Sequence, residues 1–167
     1  MKKLLLFIIF LTSFFLAKGQ TKLYGQYVAG DTKEVVAKYD RSMRLNGMFY
    51  YIEPHFNKSS QLYKVRLINH DYVTETDYPV VLKHAQRLVE LMEYKYGNPN
   101  THTNSEKSIS CSIDTPFTVA FWRQENKEVQ IDIDCKDGNY LHITLTITAK
   151  NLASDHYPHV LYELAEK

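Results

Sequence analysis

Residues 127–149, KEVQIDIDCKDGNYLHITLTITA, decide the fold that this sequence predicts. Apolar and polar residues alternate on both sides of Asp137-Gly138-Asn139, a run typical of a tight hairpin turn. In the second strand the apolar face is Leu141, Ile143, Leu145 and Ile147, and the polar face is His142, Thr144, Thr146 and Thr148. Such alternation is typical of an antiparallel sheet with one face on the core and the other toward solvent.

Further strands are predicted on the amino-terminal side of this hairpin. Residues 48–56 and 61–69 are rich in aromatic and branched side chains, and turn-forming residues at 57–60 separate them, which indicates a second hairpin. Residues 108–113 and 115–123 alternate in the same way and add one or two strands. The sequence therefore predicts an antiparallel sheet of about five to six strands.

The clearest helix is predicted between a cap at Thr76-Asp77 and a stop signal at Gly97 and Pro99. Pro79 fits a first helical turn, and apolar residues then recur at three- and four-residue steps. They are Val81, Ala85, Leu88, Met92 and Tyr96, widened by Leu82, Val89 and Leu91. An amphipathic helix of this length needs an apolar partner, and the sheet supplies one.

Residues 31–45 allow two interpretations. Asp31 and Glu34 have the spacing of a capping box, and the apolar residues after them recur at helical spacing as far as a stop signal at Asn46-Gly47. This favours a helix. The same apolar residues also alternate, so the pattern fits a strand as well.

The order of these elements predicts the fold class. Hairpins dominate, and strands and helices do not alternate along the chain, so we predict an α+β fold: an antiparallel sheet of about five to six strands with helices packed on one face. A short helix beginning at Ser154 or Asp155 closes the chain. Cys111 and Cys135 lie in alternating segments, and an even cysteine count in an oxidising compartment predicts a single disulfide.

Residues 1–19 have the three parts of a secretory signal peptide. A lysine-containing start precedes an apolar run over 4–16, and small residues follow at the positions that a signal peptidase reads. The run is shorter than the roughly 20 residues of a membrane-spanning helix. We therefore expect cleavage before Gln20, no membrane anchor afterwards, one domain over 20–167, and a location in the periplasm or outside the cell.

Charge and motifs narrow the function classes. Without residues 1–19 the chain loses three of its 20 basic residues and keeps all 19 acidic ones, and the two signs are interspersed. This balance argues against nucleic acid and anionic membranes as partners. The sequence contains no Gly-rich phosphate loop, no H-E-x-x-H and no G-x-S-x-G, so it predicts no cofactor and favours a non-enzymatic role.

Candidate binding residues lie on the polar face of the quoted hairpin. Asp132 and Asp134 precede its turn, and His142 and Thr144 follow it. Trp122 joins them, because tryptophan and tyrosine are enriched at binding surfaces.

The face of Trp122 depends on strict alternation along its strand. If Phe117, Val119 and Phe121 face the core, Trp122 points to the opposite side of the sheet. There it is either an exposed interaction anchor or covered by the polar loop over 98–108.

The densest cluster of metal-capable side chains is Asp155, His156 and His159. Zinc takes three or four such ligands, but a helix start explains the same cluster, so no metal site is assigned. A calcium loop counted from Asp132 fails, because its twelfth position is Ile143 instead of glutamate.

Three functions are consistent with these residues. The favoured one is a non-enzymatic exported module that binds another envelope or secreted protein through the open sheet face and Trp122. The alternative is a glycan- or small-ligand-binding protein that uses Tyr and Trp side chains together with Asp132, Asp134 and Thr144. The third is a small hydrolase built on Asp155, His156 and His159.

Overall fold

A computed structural model describes residues 21–69, 73–74, 77–103, 116–136 and 140–153. The strands are β1 Lys22–Tyr24, β2 Tyr27–Val28, β3 Ser42–Leu45, β4 Met48–Phe56, β5 Leu62–Asn69, β6 Val73–Thr74, β7 Thr101–His102, β8 Phe117–Arg123, β9 Lys127–Lys136 and β10 Tyr140–Ala149. The helices are α1 Lys33–Val36, α2 Tyr78–Tyr96 and α3 Lys150–Ala153.

Eight of these strands form one antiparallel sheet. Its order is β3-β4-β5-β10-β9-β8-β7, and β6 pairs with the start of β10 in line with β5. The longest ladder joins β9 and β10 from Tyr140↔Lys136 to Ala149↔Lys127 without a register shift. Strands β1 and β2 form a separate two-stranded sheet.

The core lies between one face of the sheet and α2. The apolar alternation of β10 places Leu141, Ile143, Leu145 and Ile147 inward, each at most 1 % exposed. Helix α2 packs its apolar face against β8, β9 and β10, with Leu88 and Val89 both 1 % exposed. The prediction of this helix is confirmed, including its end at Gly97, where a φ of 77° suits glycine. We call the opposite side of the sheet the outer face.

The predicted fold class is wrong. The antiparallel pairing is as expected, but the described chain is mostly β, and its main sheet has eight strands instead of five to six. Short strands account for the difference: β3, β6 and β7 extend the sheet with two to four residues each. A two-residue strand is too short to leave an alternation signal in a sequence.

Residues 31–45 also differ from the favoured helix. The helix α1 is a single turn, and residues 42–45 form β3, which pairs with β4. The physical reason is Asn46-Gly47, whose φ angles of 52° and 80° are both positive. Two positive φ values in a two-residue loop favour a hairpin with the right-handed strand twist, so this pair connects strands instead of ending a helix.

Other predictions fall partly or wholly outside the described residues. The signal peptide, the strand over 108–113 and the helix after Ser154 all lie there. The predicted disulfide also belongs to this group, because Cys111 lies outside the described residues.

Candidate functional site

The outer face carries a continuous group of polar side chains centred on Asp134. The Asp134 carboxylate accepts hydrogen bonds from Thr144 Oγ1 at 2.5 Å and Arg66 Nη2 at 3.3 Å. His142 Nε2 lies 3.7 Å from the same oxygen, Oδ2. These partners stand on β5 and β10, so one carboxylate of β9 connects three neighbouring strands.

Arg66 extends this group to β4. Its second amino group, Nη1, lies 3.2 Å from Glu53 Oε2, and His55 Nε2 lies 3.3 Å from that same oxygen. One guanidinium therefore joins two carboxylates on opposite sides of its strand. Arginine suits this role because its planar group presents several fixed donors. We call Glu53, His55, Arg66, Asp134, His142 and Thr144 the ion-pair chain.

Asp132 lies beside the ion-pair chain in a more enclosed environment. Its Oδ1 accepts hydrogen bonds from Thr118 Oγ1 at 2.8 Å and Gln130 Nε2 at 2.8 Å, and the residue is only 6 % exposed. Burial is the largest influence and raises the pKa of Asp132 above its usual 3.8, although the hydrogen bonds from Gln130 and Thr118 act in the opposite direction. The folded protein therefore disfavours the charged form of the Asp132 carboxyl group.

We expect the free energy of unfolding of Asp132→Asn, relative to that of the wild type, to increase as the pH rises. Because the folded-state pKa of Asp132 is raised, its contribution to stability is fully present below 3.8 and is lost as the pH rises through the folded value. Asparagine has no such proton to lose. Urea unfolding between about pH 3 and pH 8 measures the difference, and Glu125→Gln controls for removing one exposed negative charge. A stability difference that is independent of pH would contradict this prediction.

The structure corrects the predicted position of Trp122. The residue is 1 % exposed, and its Nε1 donates a 2.7 Å hydrogen bond to the Gly97 carbonyl at the end of α2. The register of β8 shifts between Thr118 and Ala120, where Val119 is the extra residue of a β-bulge. The bulge reverses the alternation after it, so Trp122 faces the core. It is neither an exposed anchor nor an outer-face residue.

The other four candidate binding residues do come together. Asp132, Asp134, His142 and Thr144 occupy adjacent outer-face positions, with Asp134 opposite His142 and Asp132 opposite Thr144 in the ladder. Thr144 is 1 % exposed, so it supports the Asp134 carboxylate more than it offers a surface of its own. The binding role of these residues stays a prediction.

Sequence reasoning missed the aromatic part of this face. Phe49 and Tyr51 on β4 are each 42 % exposed, whereas Tyr50 and Ile52, which alternate with them, are buried. Tyr51 lies opposite Ile68, which in turn lies opposite Thr144, so these rings border the polar group. The alternation of side chains along β4 could have revealed these aromatic residues, because it places Glu53 and His55 on the same side of the strand as Phe49 and Tyr51.

A small cavity lies where α2 meets the end of the sheet. Its volume is about 50 Å³, and its lining includes Met48, Val81, His84 and His142. Small-molecule sites usually measure about 300–1,000 Å³, so this cavity does not qualify as one.

The described residues contain no group of three or more His, Cys, Asp or Glu side chains that could hold a metal ion. The candidates Asp155, His156 and His159 lie outside the described ranges. None of the described helices is long and apolar enough to cross a membrane.

Three comparisons address the ancestry of this chain. No protein-family model, no curated protein and no solved structure matches it.

Proposed function

We propose that this protein is an exported, non-enzymatic module that binds another envelope or secreted protein through the outer face. The observation that carries the proposal is the position of Phe49 and Tyr51, two exposed rings at the border of the ion-pair chain. Residues that dominate protein interfaces are enriched in Trp, Tyr and Arg, and they are surrounded by contacts that exclude water. The export part of the proposal rests on the signal-peptide prediction alone.

The dimensions of the outer face suit a protein partner. Its five long strands, β4, β5, β10, β9 and β8, have 7 to 10 residues each. With strands about 4.8 Å apart and about 3.3 Å per residue, they cover about 700 Å². A specific protein interface buries about 800 Å² on each partner. The face is thus large enough to form most of one interface.

The ion-pair chain lowers the cost of binding. Arg66 and Asp134 hold each other at 3.3 Å, and their side chains are 32 % and 17 % exposed. Side chains that are already ordered lose little rotamer freedom when a partner binds, which leaves more of the contact energy for affinity. Fixed charges of both signs also set the orientation of the partner.

Affinity capture tests this proposal. The tagged protein is expected to retain one partner in stoichiometric amount from the envelope or medium of its host. Tyr51→Glu places a charge among the outer-face aromatic residues and should abolish capture. Tyr94→Glu is the matched control, because Tyr94 is 94 % exposed on α2, away from the outer face. No captured protein, or equal capture by both variants with folded samples, would refute the proposal.

A glycan is the second candidate ligand. It is favoured by the combination of exposed rings with the Asp134 carboxylate, because Asp134 keeps further lone pairs after accepting from Thr144 and Arg66. Binding on a glycan array that is lost in Tyr51→Ala and kept in Tyr94→Ala would support this alternative. A blank array with folded wild-type protein would remove it.

A further inference from the structure

A second group of charges and aromatic rings lies at the carboxyl end of α2. The ammonium groups of Lys95 and Lys127 lie 5.1 Å and 4.7 Å from the centroid of the Tyr96 ring. Lys95 is also 5.4 Å from the centroid of the Tyr24 ring on β1. Each contact has the geometry of a cation–π interaction. Two ammonium groups thus contact the same tyrosine ring.

This group consists of donors without acceptors. Within the described ranges, Nζ of Lys95 and Nζ of Lys127 form no hydrogen bond and no ion pair. The Tyr96 hydroxyl is buried and has no hydrogen-bond partner among the described residues. An ammonium group offers three donors and no acceptor, and a tyrosine hydroxyl offers one donor besides its acceptor lone pairs. What the three groups have in common is the capacity to donate to an oxygen atom.

The helix end does not supply that oxygen. A lysine in the last turn of a helix often bonds to a terminal carbonyl. Here the Gly97 carbonyl already accepts from Trp122 Nε1 at 2.7 Å, and the Glu93 carbonyl accepts from the Gly97 amide at 2.8 Å. The two ammonium groups therefore lie 5.1 Å and 4.7 Å from the centroid of one ring, and neither forms an ion pair within the described residues.

The second tyrosine strengthens the case for a polar ligand. Burial, followed by the neighbouring Tyr96, raises the pKa of the Tyr24 hydroxyl. Tyr24 thus stays protonated and able to donate at any physiological pH. Lys95 contacts both rings, so Tyr24 belongs to the same group as Tyr96.

We propose that Lys95, Lys127 and Tyr96 form a binding site for a tetrahedral oxyanion, a phosphate or sulfate group. Such an anion carries two or more oxygens that accept hydrogen bonds from different directions, and its charge offsets that of the two ammonium groups. The site is independent of the outer face, because Lys127 continues the inward-facing series of Val129 and Ile131 on β9.

Anion titrations of the full chain test the site. Inorganic phosphate or sulfate, at constant ionic strength set with chloride, should raise Tm and shift the Tyr96 ring signals in NMR spectra. Lys127→Met keeps an aliphatic chain and should weaken binding at least tenfold. The matched control Lys83→Met, at an exposed position of α2, should bind like wild type. An unchanged affinity in Lys127→Met, or the same response to chloride alone, would overturn the proposal.

Tyr96→Phe separates anion binding from a purely structural role. It keeps the ring and both cation–π contacts but removes the hydroxyl. We expect several-fold weaker phosphate binding without a loss of folding stability, since the buried hydroxyl has no described partner to lose. Unchanged phosphate affinity in Tyr96→Phe would remove the hydroxyl from the site and contradict the proposal. Methyl phosphate then distinguishes the source: tighter binding than inorganic phosphate indicates a phosphorylated molecule, and equal binding indicates the free ion.

Discussion

Replacing Trp122 with alanine is expected to lower the free energy of unfolding by about 3–5 kcal/mol, the usual cost of removing a fully buried aromatic side chain. Trp122 is 1 % exposed, and it also satisfies the Gly97 carbonyl at the end of α2. The substitution therefore removes core volume and a hydrogen bond together. Urea unfolding followed by circular dichroism measures the change.

Trp122→Phe separates the two contributions. It keeps most of the apolar volume but leaves the Gly97 carbonyl without its donor, so a smaller loss of about 1–3 kcal/mol is expected. Phe121→Ala is the control on the same strand, because Phe121 lies on the outer face opposite Gln130 and is only half-buried. If Trp122→Ala cost no more than Phe121→Ala, the bulge at Val119 would be wrong, and so would the burial of Trp122.

The second large effect is expected at the contact between α2 and the sheet. Leu88→Ala should cost about 3–5 kcal/mol, because the side chain is 1 % exposed and its removal leaves a cavity that the rigid sheet cannot fill. Leu91→Ala makes the same chemical change on the same helix at a position that is 39 % exposed. Its cost should stay below about 1 kcal/mol.

The comparison of these two leucines by urea unfolding is internally controlled. Both variants lose the same atoms and change helix propensity by the same amount, so the difference between them reports burial. Equal losses in the two variants would contradict the orientation of α2 on the sheet.

Long periodic segments could be predicted from the sequence. The helix ending at Gly97 and the hairpin around 137–139 each carry many residues of one period, and the structure has α2, β9 and β10 at these places. Each residue of such a segment indicates again which face of the helix or strand is buried. Short elements lack this redundancy, which is why β6 and β7 left no signal.

The errors at Trp122 and at residues 42–45 have local causes. One extra residue, Val119, reverses the faces of all later residues in β8, and nothing in the composition of 117–123 marks the bulge. At Asn46-Gly47 the same dipeptide is compatible with a helix end and with a hairpin turn. Only pairing of β3 with β4, a tertiary contact, decides between them.

The candidate site was half predictable for a related reason. Asp132, Asp134, His142 and Thr144 belong to one hairpin, so alternation alone puts them on one face. Arg66 and Glu53 come from strands distant in sequence, and their contact with Asp134 depends on β5 lying beside β10. Which strands lie side by side depends on the order of strands in the sheet, and residue periodicity does not encode that order.

If the outer face binds a partner, as we propose, methyl NMR of the partner-bound protein will locate the contact on this face. Four threonines, Thr118, Thr144, Thr146 and Thr148, project from this face and serve as reporters. Val80 and Leu91, exposed on α2, provide reference methyl groups on the opposite side. We expect shifts of the threonine methyl signals and unchanged signals from Val80 and Leu91. Shifts confined to the α2 methyl groups would contradict it.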